Sequence, residues 1–213
     1  MSEYHKIQSV FLRNPATKHK TFLMGQYSEP AFEYLKDCPW EWTEKIDGTN
    51  VRVIWDGQTV RFGGRTDDAQ MPVVLMERLQ AAFPATLLAT VFPDVSEGTE
   101  VVLYGEGYGA KIQKAGGLYK PDGVDFILFD VRYGHNYLAR ESVVDIANKI
   151  GIGVVPLVMS APIAVAIEAV RAGFPSSLGT APAEGLVGRP ATELRDRMGK
   201  RVITKIKHRD FQP

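Results

Sequence analysis

Apolar and polar positions alternate along several stretches of the chain, which is the pattern of β-strands with one buried face. Residues 41–66, "EWTEKIDGTNVRVIWDGQTVRFGGRT", show this alternation. Within them, residues 50–55 and 59–62 are predicted to pair as a hairpin across Asp56-Gly57, a dipeptide typical of tight turns. Shorter strands are predicted in four other stretches, which are residues 99–107, 123–132, 184–190 and 201–211.

Helical periodicity predicts three further elements, at residues 72–92, 141–151 and 160–173. The first helix is expected to break near Pro84, because proline interrupts a helix interior. Gly151 is expected to cap the second helix, and Ser160 and Gly173 are expected to bound the third. Because the strands come in hairpins and in irregular order, we predict an α+β fold with mainly antiparallel sheets flanked by helices.

Composition excludes several classes of protein. The chain is 45% hydrophobic and 23% charged, and no apolar run is long enough to predict a membrane span. The N-terminal stretch "MSEYHKIQSV" lacks the apolar core of a signal peptide. The single cysteine, Cys38, cannot form an internal disulfide, which agrees with a reducing cytoplasm. Four scattered histidines and one cysteine do not suggest a zinc site.

The charges balance overall but are unevenly distributed. With 25 basic and 25 acidic residues, the chain does not have the excess of positive charge expected of a protein that holds nucleic acid by bulk charge alone. However, residues 5–20 and 200–209 contain several Lys and Arg residues and no acid. Such segments are usually solvated faces. They would form one basic surface if the fold brought them together.

One glycine-rich stretch matches a dinucleotide-binding pattern, but its context rules the pattern out. Gly105, Gly107 and Ala110 follow a predicted strand, with Asp125 further on. The pattern requires a helix directly after the glycines, so that its N-terminus faces the pyrophosphate. The next residues include helix breakers, which are Gly116, Gly117, Pro121 and Gly123. We expect Glu106 to be the functional residue here.

Lys45, in "EKIDGTN", is the candidate nucleophile, and the alternative is a solvated charge beside a turn. A free lysine amine has a pKa of about 10.4, and lowering it by about 3 units costs about 4 kcal/mol. Cationic neighbours or burial can supply that shift. Lys205 and Lys207 lie two residues apart and so share a strand face. If they face Lys45 they would lower its pKa, although such a pair is more often the exposed face of an edge strand.

The order of the chemistry-bearing residues resembles the covalent nucleotidyltransferases, which are the ATP- and NAD-dependent ligases and the mRNA-capping guanylyltransferases. The chain is most similar to the phage-type RNA ligase 2 family. That family's lysine motif, Glu-Lys-x-x-Gly-Thr-Asn, matches residues 44–50, and "GEGYGAKIQK" at 105–114 is similar to its central motif. The resemblance covers residues 41–211. One departure is Gly188-Arg189 in "EGLVGRP", where the family usually has Leu-Lys.

The resemblance implies a nucleotidyltransferase (ATP-grasp-like) fold, expected here as a single adenylyltransferase domain over residues 1–213 without an appended C-terminal domain. It implies an ATP-dependent RNA ligase that joins 3′-hydroxyl and 5′-phosphate ends through a lysyl-AMP and an adenylylated 5′ end. The expected partner is nicked or broken RNA, or an RNA/DNA hybrid, in the cytoplasm and away from membranes. A separate partner that supplies end binding would complement a lone catalytic domain.

The resemblance also implies roles for particular residues. Lys45 would carry the AMP, and a Mg²⁺ or Mn²⁺ ion would be held through water by Asp47, Glu106 and Glu184. On residue type alone, Phe129 is as much a core residue as a stacking partner for adenine. The residues expected to contact the nucleotide are Glu44, Ile46, Asn50, Arg65, Glu106, Phe129, Glu184, Lys205 and Lys207.

Three alternatives to an RNA ligase remain open from the sequence. Two are enzymes, a small ATP-dependent DNA ligase and a GTP-using capping guanylyltransferase. The third is a non-catalytic module that binds polynucleotide ends, which the complete set of acids and lysines disfavours. Covalent labelling by ATP or GTP separates the first and second alternatives, and absence of any label favours the third.

Overall fold

The structure is a computed structural model that describes residues 3–212. Its strands are β1 (Gln8–Ser9), β2 (Phe11–Arg13), β3 (Phe22–Tyr27), β4 (Trp40–Lys45), β5 (Thr49–Trp55), β6 (Val60–Gly63), β7 (Val101–Gly109), β8 (Val124–Tyr133), β9 (Asn136–Tyr137), β10 (Gly153–Val154), β11 (Leu157–Ala161), β12 (Gly185–Pro190) and β13 (Thr204–Lys207). Its α-helices are α1 (Pro30–Tyr34), α2 (Val73–Ala82), α3 (Ala85–Val91), α4 (Gly116–Tyr119), α5 (Arg140–Ile150) and α6 (Ile163–Ala172). Short 3₁₀ helices cover Pro15–Thr17 and His208–Phe211.

The described residues form two compact units, made of different parts of the chain. The central unit contains residues 3–4 and 47–155, and the terminal unit contains residues 5–46 and 156–212. Lys45 therefore belongs to the terminal unit and Asp47 to the central unit. Whether the whole chain acts as the single domain predicted from the sequence stays a prediction.

Each unit is built on its own sheet. The terminal unit has a five-stranded sheet in the order β1-β13-β12-β4-β11, together with the β2–β3 pair. The central unit has a six-stranded sheet in the order β10-β8-β7-β5-β6, with β9 added beside β8. All strand pairs are antiparallel except β1–β13 and β10–β8. Helices flank the sheets, so the predicted fold class is confirmed.

The local predictions fare well, with one error at a helix start and one at a strand end. The strand predicted over residues 201–211 covers only Thr204–Lys207, and the 3₁₀ helix His208–Phe211 follows it. The hairpin of β5 and β6, the break near Pro84 and the left-handed Gly151 after α5 are confirmed. Ser160 was wrongly predicted as a helix cap, since it lies in β11 and α6 begins after Pro162. A proline disfavours helical geometry in the residue before it, so Pro162 prevents the helix from starting earlier. Among residues 3–212, no helix is long and apolar enough to cross a membrane.

The dinucleotide-binding pattern is also correctly rejected. Strand β7 continues through the glycines to Gly109, and the next helix is the four-residue α4. A glycine at 105 is needed for packing rather than for a phosphate, because a Cβ there would lie 2.1 Å from the ring of Phe126. The stretch is therefore the middle of a sheet.

Two apolar cores support the two sheets. In the central unit, alternate residues of β5 and β7 face one core under α2, α3 and α5, and examples are Val51, Val53, Val101 and Leu103. In the terminal unit, α6 covers the sheet through a core that includes Trp40, Trp42, Leu186 and Ile206. Burial of such side chains contributes about 1.5–3 kcal/mol each. These cores fix the strands whose ends carry the chemistry.

Gly188, which departs from the family pattern, has a packing explanation. It lies directly opposite Trp42 on the neighbouring strand β4. Trp42 is fully buried, and its indole nitrogen donates to the carbonyl of Ala161 at 2.9 Å. A Cβ at position 188 would lie 2.3 Å from the Trp42 ring. The large residue on one strand therefore requires the small residue on the other.

This pairing predicts that Gly188→Leu, which restores the usual family residue, will destabilise the protein. Overpacking of this kind costs about 1–3 kcal/mol, and we expect the upper end because the ring has no room to move. Trp42→Ala alone should cost about 3–5 kcal/mol. Urea unfolding of both single variants and the double variant tests the coupling, with the double variant expected to lose much less than the sum. Additive losses would show that Gly188 and Trp42 do not share this space.

Candidate active site

Lys45 and Lys207 lie on either side of Gly185 in the terminal sheet. Gly185 on β12 is opposite Lys45 on β4 and opposite Lys207 on β13. Directly opposed residues of antiparallel strands share a face, and two strand spacings place the lysine backbones about 10 Å apart. Gly185 adds no side chain between them, and a Cβ at this position would lie 2.0 Å from the carbonyl oxygen of Ile206. The two amines can therefore converge.

They converge on Glu184, whose carboxylate bridges them. Lys45 Nζ lies 2.6 Å from Glu184 Oε2, and Lys207 Nζ lies 2.6 Å from Glu184 Oε1. The side chains of Lys45, Lys207 and Glu184 are only 21%, 13% and 12% exposed. Charges this poorly solvated need partners, and each of these has one. The predicted residues Lys45, Glu184 and Lys207 are thus brought together.

The electrostatics of this bridge follow from its composition. Burial raises the pKa of Glu184, but the two nearby ammonium groups of Lys45 and Lys207 lower it more, so the net pKa is below its ordinary value. Glu184 is thus held ionised. The sequence analysis did not foresee this acidic partner of Lys45.

Lys205 is a second cation of the same strand face. It lies opposite Val187 on β12 and beside Ser9 of β1. Burial lowers the pKa of Lys205 to about 8, with further lowering from the charges of Lys207, Lys45 and Arg13. Contact of Lys205 with the nucleotide and its effect on Lys45 stay predictions.

Glu44 precedes the candidate nucleophile and serves as a structural anchor. Only 2% of Glu44 is exposed, and its carboxylate accepts hydrogen bonds from the hydroxyl of Ser176, the hydroxyl of Ser177 at 2.6 Å and the amide of Ser177 at 3.0 Å. These bonds tie the end of β4 to the loop that leads to Glu184. The sequence analysis missed both serines, since a Ser-Ser pair in a loop carries no signal of a distant partner. A nucleotide contact by Glu44 or by the buried Ile46 stays a prediction.

In the central unit, Asn50 and Glu106 lie opposite each other on β5 and β7. They point to the sheet face away from the main core, since their neighbours Val51 and Gly105 face that core. The side-chain oxygen of Asn50 is buried and has no hydrogen-bond partner among residues 3–212. Gly48 packs closely here, because a Cβ on it would lie 2.2 Å from the carbonyl oxygen of Gly107.

The turn after the candidate nucleophile is held by residues from the segment that follows β7. The amide of Asp47 donates to the hydroxyl of Tyr119 at 3.3 Å, and the side-chain amide of Gln113 donates to the carbonyl of Gly48 at 3.1 Å. Gln113 belongs to the Ile-Gln-Lys stretch that carried part of the resemblance. The structure gives this stretch a supporting role that sequence spacing did not reveal.

Phe129 is partly buried, whereas Arg65 is exposed. Phe129 is partly buried in a small cluster with Ile54, Val102 and Tyr104, and its ring lies 5.1 Å from that of Tyr4. Ile54 on β5 and Val102 on β7 point away from the main core, as Asn50 and Glu106 do on the same strands. Phe129 packs against Ile54 and Val102 and therefore lies on that sheet face. Its contacts therefore fit a core residue, and adenine stacking stays a prediction.

Arg65 is exposed, in the loop after β6. The fully buried Arg52 holds this loop, because its Nε donates to the carbonyl of Gly64 at 2.7 Å and its guanidinium pairs with Asp67 at 2.8 Å. Sequence reasoning missed Arg52, although a charge among the apolar residues of β5 is a detectable signal. Contact of Arg65 with a nucleotide stays a prediction.

The available donors suit a hard cation bound through water. Within residues 3–212, no group of three or more His, Cys, Asp or Glu side chains is placed to hold a metal ion directly. The carboxylates of Asp47, Glu106 and Glu184 and the unpaired oxygen of Asn50 are oxygen donors, which Mg²⁺ and Mn²⁺ prefer. Ligation by this set stays a prediction.

The bridge predicts a pH-dependent loss of stability in Glu184→Gln. Removing the carboxylate leaves two poorly solvated ammonium groups unpaired, which should cost about 3 kcal/mol of the free energy of unfolding near pH 7. Because the pKa of Glu184 is lowered in the folded state, its stabilising effect is present above its unfolded pKa of about 4.5 and is lost as the pH falls through the folded value.

Urea unfolding of the natural chain and the variant between pH 3 and pH 7 measures this difference. Glu168→Gln is the control, because Glu168 is 71% exposed on α6 and its ion pair with Arg171 is long, at 3.9 Å. The loss of unfolding free energy in Glu184→Gln should be large near pH 7 and shrink toward pH 3, whereas the loss in Glu168→Gln should stay small at every pH. A Glu184→Gln deficit that persists unchanged at the lowest pH would contradict the bridge.

Comparisons with known proteins identify the fold and the family of the chain. Solved structures of the Naegleria gruberi RNA ligase superpose with TM-scores of 0.69 for an apo variant, 0.68 for a variant with ATP and Mn, and 0.67 for the protein with PPi. Identity is 19%, 19% and 22%, over 99%, 97% and 97% of this chain but only 56% of those chains. No curated protein matches. The model of the RNA ligase family matches residues 39–207, well over half of the sequence, and the chain therefore belongs to the RNA ligase family.

Proposed function

We propose that this chain is an ATP-dependent RNA ligase that joins 3′-hydroxyl and 5′-phosphate ends. Membership of the RNA ligase family supports this reaction over a DNA ligase or a capping enzyme. The observation that carries the proposal is the convergence of Lys45, Lys207 and Glu184 in the terminal unit. A lysine held beside a second cation in a poorly solvated position suits attack on a phosphate.

In the first step, the neutral amine of Lys45 attacks the α-phosphorus of ATP, and pyrophosphate leaves. The amine must first leave Glu184 and give up its ammonium proton to bulk water. Lys205 and Lys207 remain positively charged beside the phosphorus and offset the charge that develops on the α-phosphate. A divalent cation bound through water at the carboxylates would add positive charge there and weaken the hold of Glu184 on Lys45.

In the second step, AMP moves from Lys45 to the 5′-phosphate of a strand. In the third, a 3′-hydroxyl attacks that phosphate and releases AMP. Both are displacements at phosphorus in which positioning and charge neutralisation lower the barrier. The chain covers just over half of the length of the solved ligases. Nick sealing by this chain alone, without a partner that binds strand ends, is therefore also part of the proposal.

The central unit supplies further groups in this proposal. Asn50 and Glu106 offer polar atoms side by side on one sheet face, and Phe129 offers an aromatic ring. We assign them to the nucleotide, with Asp47 and Arg65, on the basis of the family resemblance. ATP and Mn accompany a Naegleria gruberi ligase in a solved structure, which supports ATP and Mg²⁺ or Mn²⁺ as cofactors here. The proposal also places the chain in the cytoplasm, with which the free, exposed Cys38 is compatible.

Lys45→Arg is the sharpest test of the nucleophile. Arginine keeps the positive charge opposite Glu184 but stays protonated, so it cannot attack phosphorus. Incubation with ATP labelled at the α-phosphate, followed by denaturing electrophoresis, should label the natural chain and leave the variant blank. Lys149→Arg is the matched control, because Lys149 is 57% exposed on α5 and should label normally.

The same gel separates the RNA ligase from two of the alternatives, the capping enzyme and the binding module. Label from GTP instead of ATP would indicate a capping enzyme. A natural chain that binds RNA ends but takes no label in the presence of Mg²⁺ would overturn the proposal and indicate a binding module.

A further inference from the structure

A cavity of about 410 Å³ in the terminal unit joins the two acid-free segments of the sequence. Strands β1 and β13 pair in parallel, with Ser9 opposite Lys205, so residues 5–20 and 200–209 meet in space. The sequence left open whether these segments form one surface, and the pairing shows that they do. We call this space the basic cavity, and its cationic lining residues are Lys6, Arg13, Lys205, Lys207 and Arg209.

The basic cavity has an excess of positive charge. Within the described part of the chain, no Asp or Glu lines it. Arg13 is paired with Asp210 at 3.0 Å and Lys207 with Glu184 at 2.6 Å, which leaves three other cations. These have no ion-pair partner among residues 3–212, and they are Lys6, Lys205 and Arg209. An unpaired, partly buried cation such as Lys205 is stabilised by an anionic ligand.

The size and lining of the cavity indicate more than an isolated ion. Its volume lies within the range of about 300–1,000 Å³ that is usual for small-molecule sites. Phe11 and Leu12 give it apolar surface beside the charges, and Leu12 is 45% exposed. Ser9 adds a hydroxyl, which already accepts a hydrogen bond from Arg13 at 3.1 Å. This combination suits a phosphate together with the sugar or base attached to it.

We propose that the basic cavity binds the terminal 5′-phosphate and first nucleotide of the strand that receives AMP. The inference rests on the proposed ligase function. Lys45 does not line the cavity, but Lys207 lines it and shares Glu184 with Lys45. A phosphate in the cavity is therefore next to the group that carries AMP, without occupying its place.

The chemistry of AMP transfer agrees with this placement. An oxygen of the 5′-phosphate forms a bond to the phosphorus of lysyl-AMP while the bond from that phosphorus to the Lys45 nitrogen breaks. The electron pair returns to nitrogen, which takes a proton from water. Two phosphates must approach each other closely, and their repulsion is offset by cations on the incoming side. Lys205 and Lys207 line the cavity, and their strand β13 lies between β1 and the strands β12 and β4 in the sheet.

Binding should also depend on pH through Lys205. The groups that act on it are Lys207, Lys45 and Arg13, which with burial lower its pKa to about 8, and Glu184, which opposes them. Lys205 is charged below pH 8 and increasingly neutral above it. Affinity for a 5′-phosphate should therefore fall as the pH rises above about 8, although the phosphate itself stays fully charged.

Fluorescence anisotropy with one short RNA in two forms tests the proposal. One form carries a 5′-phosphate and the other a 5′-hydroxyl, and no ATP is added. Lys6→Gln and Arg209→Gln, both at exposed residues, should each weaken binding of the 5′-phosphate form by about tenfold and the 5′-hydroxyl form much less. Lys149→Gln in the central unit is the control and should change neither.

Two results would overturn the proposal. Equal losses for the two RNA forms would show that the cavity contacts strand backbone without regard to the end. Unchanged RNA binding by the Lys6→Gln and Arg209→Gln variants, together with a weaker affinity for ATP, would show that the cavity holds the triphosphate tail of ATP. The anisotropy assay needs no lysyl-AMP. Failure of the labelling experiment would contradict the proposed function without changing the anisotropy result, so the failure of one proposal can be distinguished from the failure of the other.

Discussion

The shared carboxylate of Glu184 is the interaction on which the rest of the candidate site depends. It neutralises two lysines that would otherwise repel each other in a poorly solvated position. The same bridge fixes Lys45 where β4 ends, with its amine beside Lys207. In the proposed reaction, Lys45 must leave this carboxylate before its amine can attack phosphorus. We infer that binding of substrate and cation replaces these contacts.

The fold supports this bridge through small residues at exact registers. Gly185 lies between the two lysine strands, where any side chain would collide with the backbone of β13. Gly188, further along the same strand, makes room for the fully buried Trp42. Glu44, next to Lys45 but on the opposite face, ties the strand to the loop before Glu184. A site made of long, flexible side chains is thus held by a rigid and tightly packed backbone.

The sequence predicted the elements with strong periodicity and the residues with a motif. It identified the β5–β6 hairpin, the broken helix around Pro84, and the lysines and acid that meet at the bridge. It could not predict contacts between distant segments that carry no motif, such as Glu44 with Ser176 and Ser177, because those depend on tertiary packing. It also could not decide whether the two basic segments meet, since that follows from the parallel pairing of β1 with β13. The error at Ser160 arose because a cap residue and an edge-strand residue look alike until the following proline is weighed.

An NMR titration of the Glu184 side-chain carboxyl carbon is the most direct test of the bridge. The account predicts a pKa below the ordinary value of 4.5 in the natural chain, because the two ammonium groups outweigh the effect of burial. It also predicts that the pKa rises when either Lys45 or Lys207 is replaced by methionine, which keeps the length of the side chain and removes the charge. A natural pKa at or above 4.5, unchanged by both substitutions, would contradict the account.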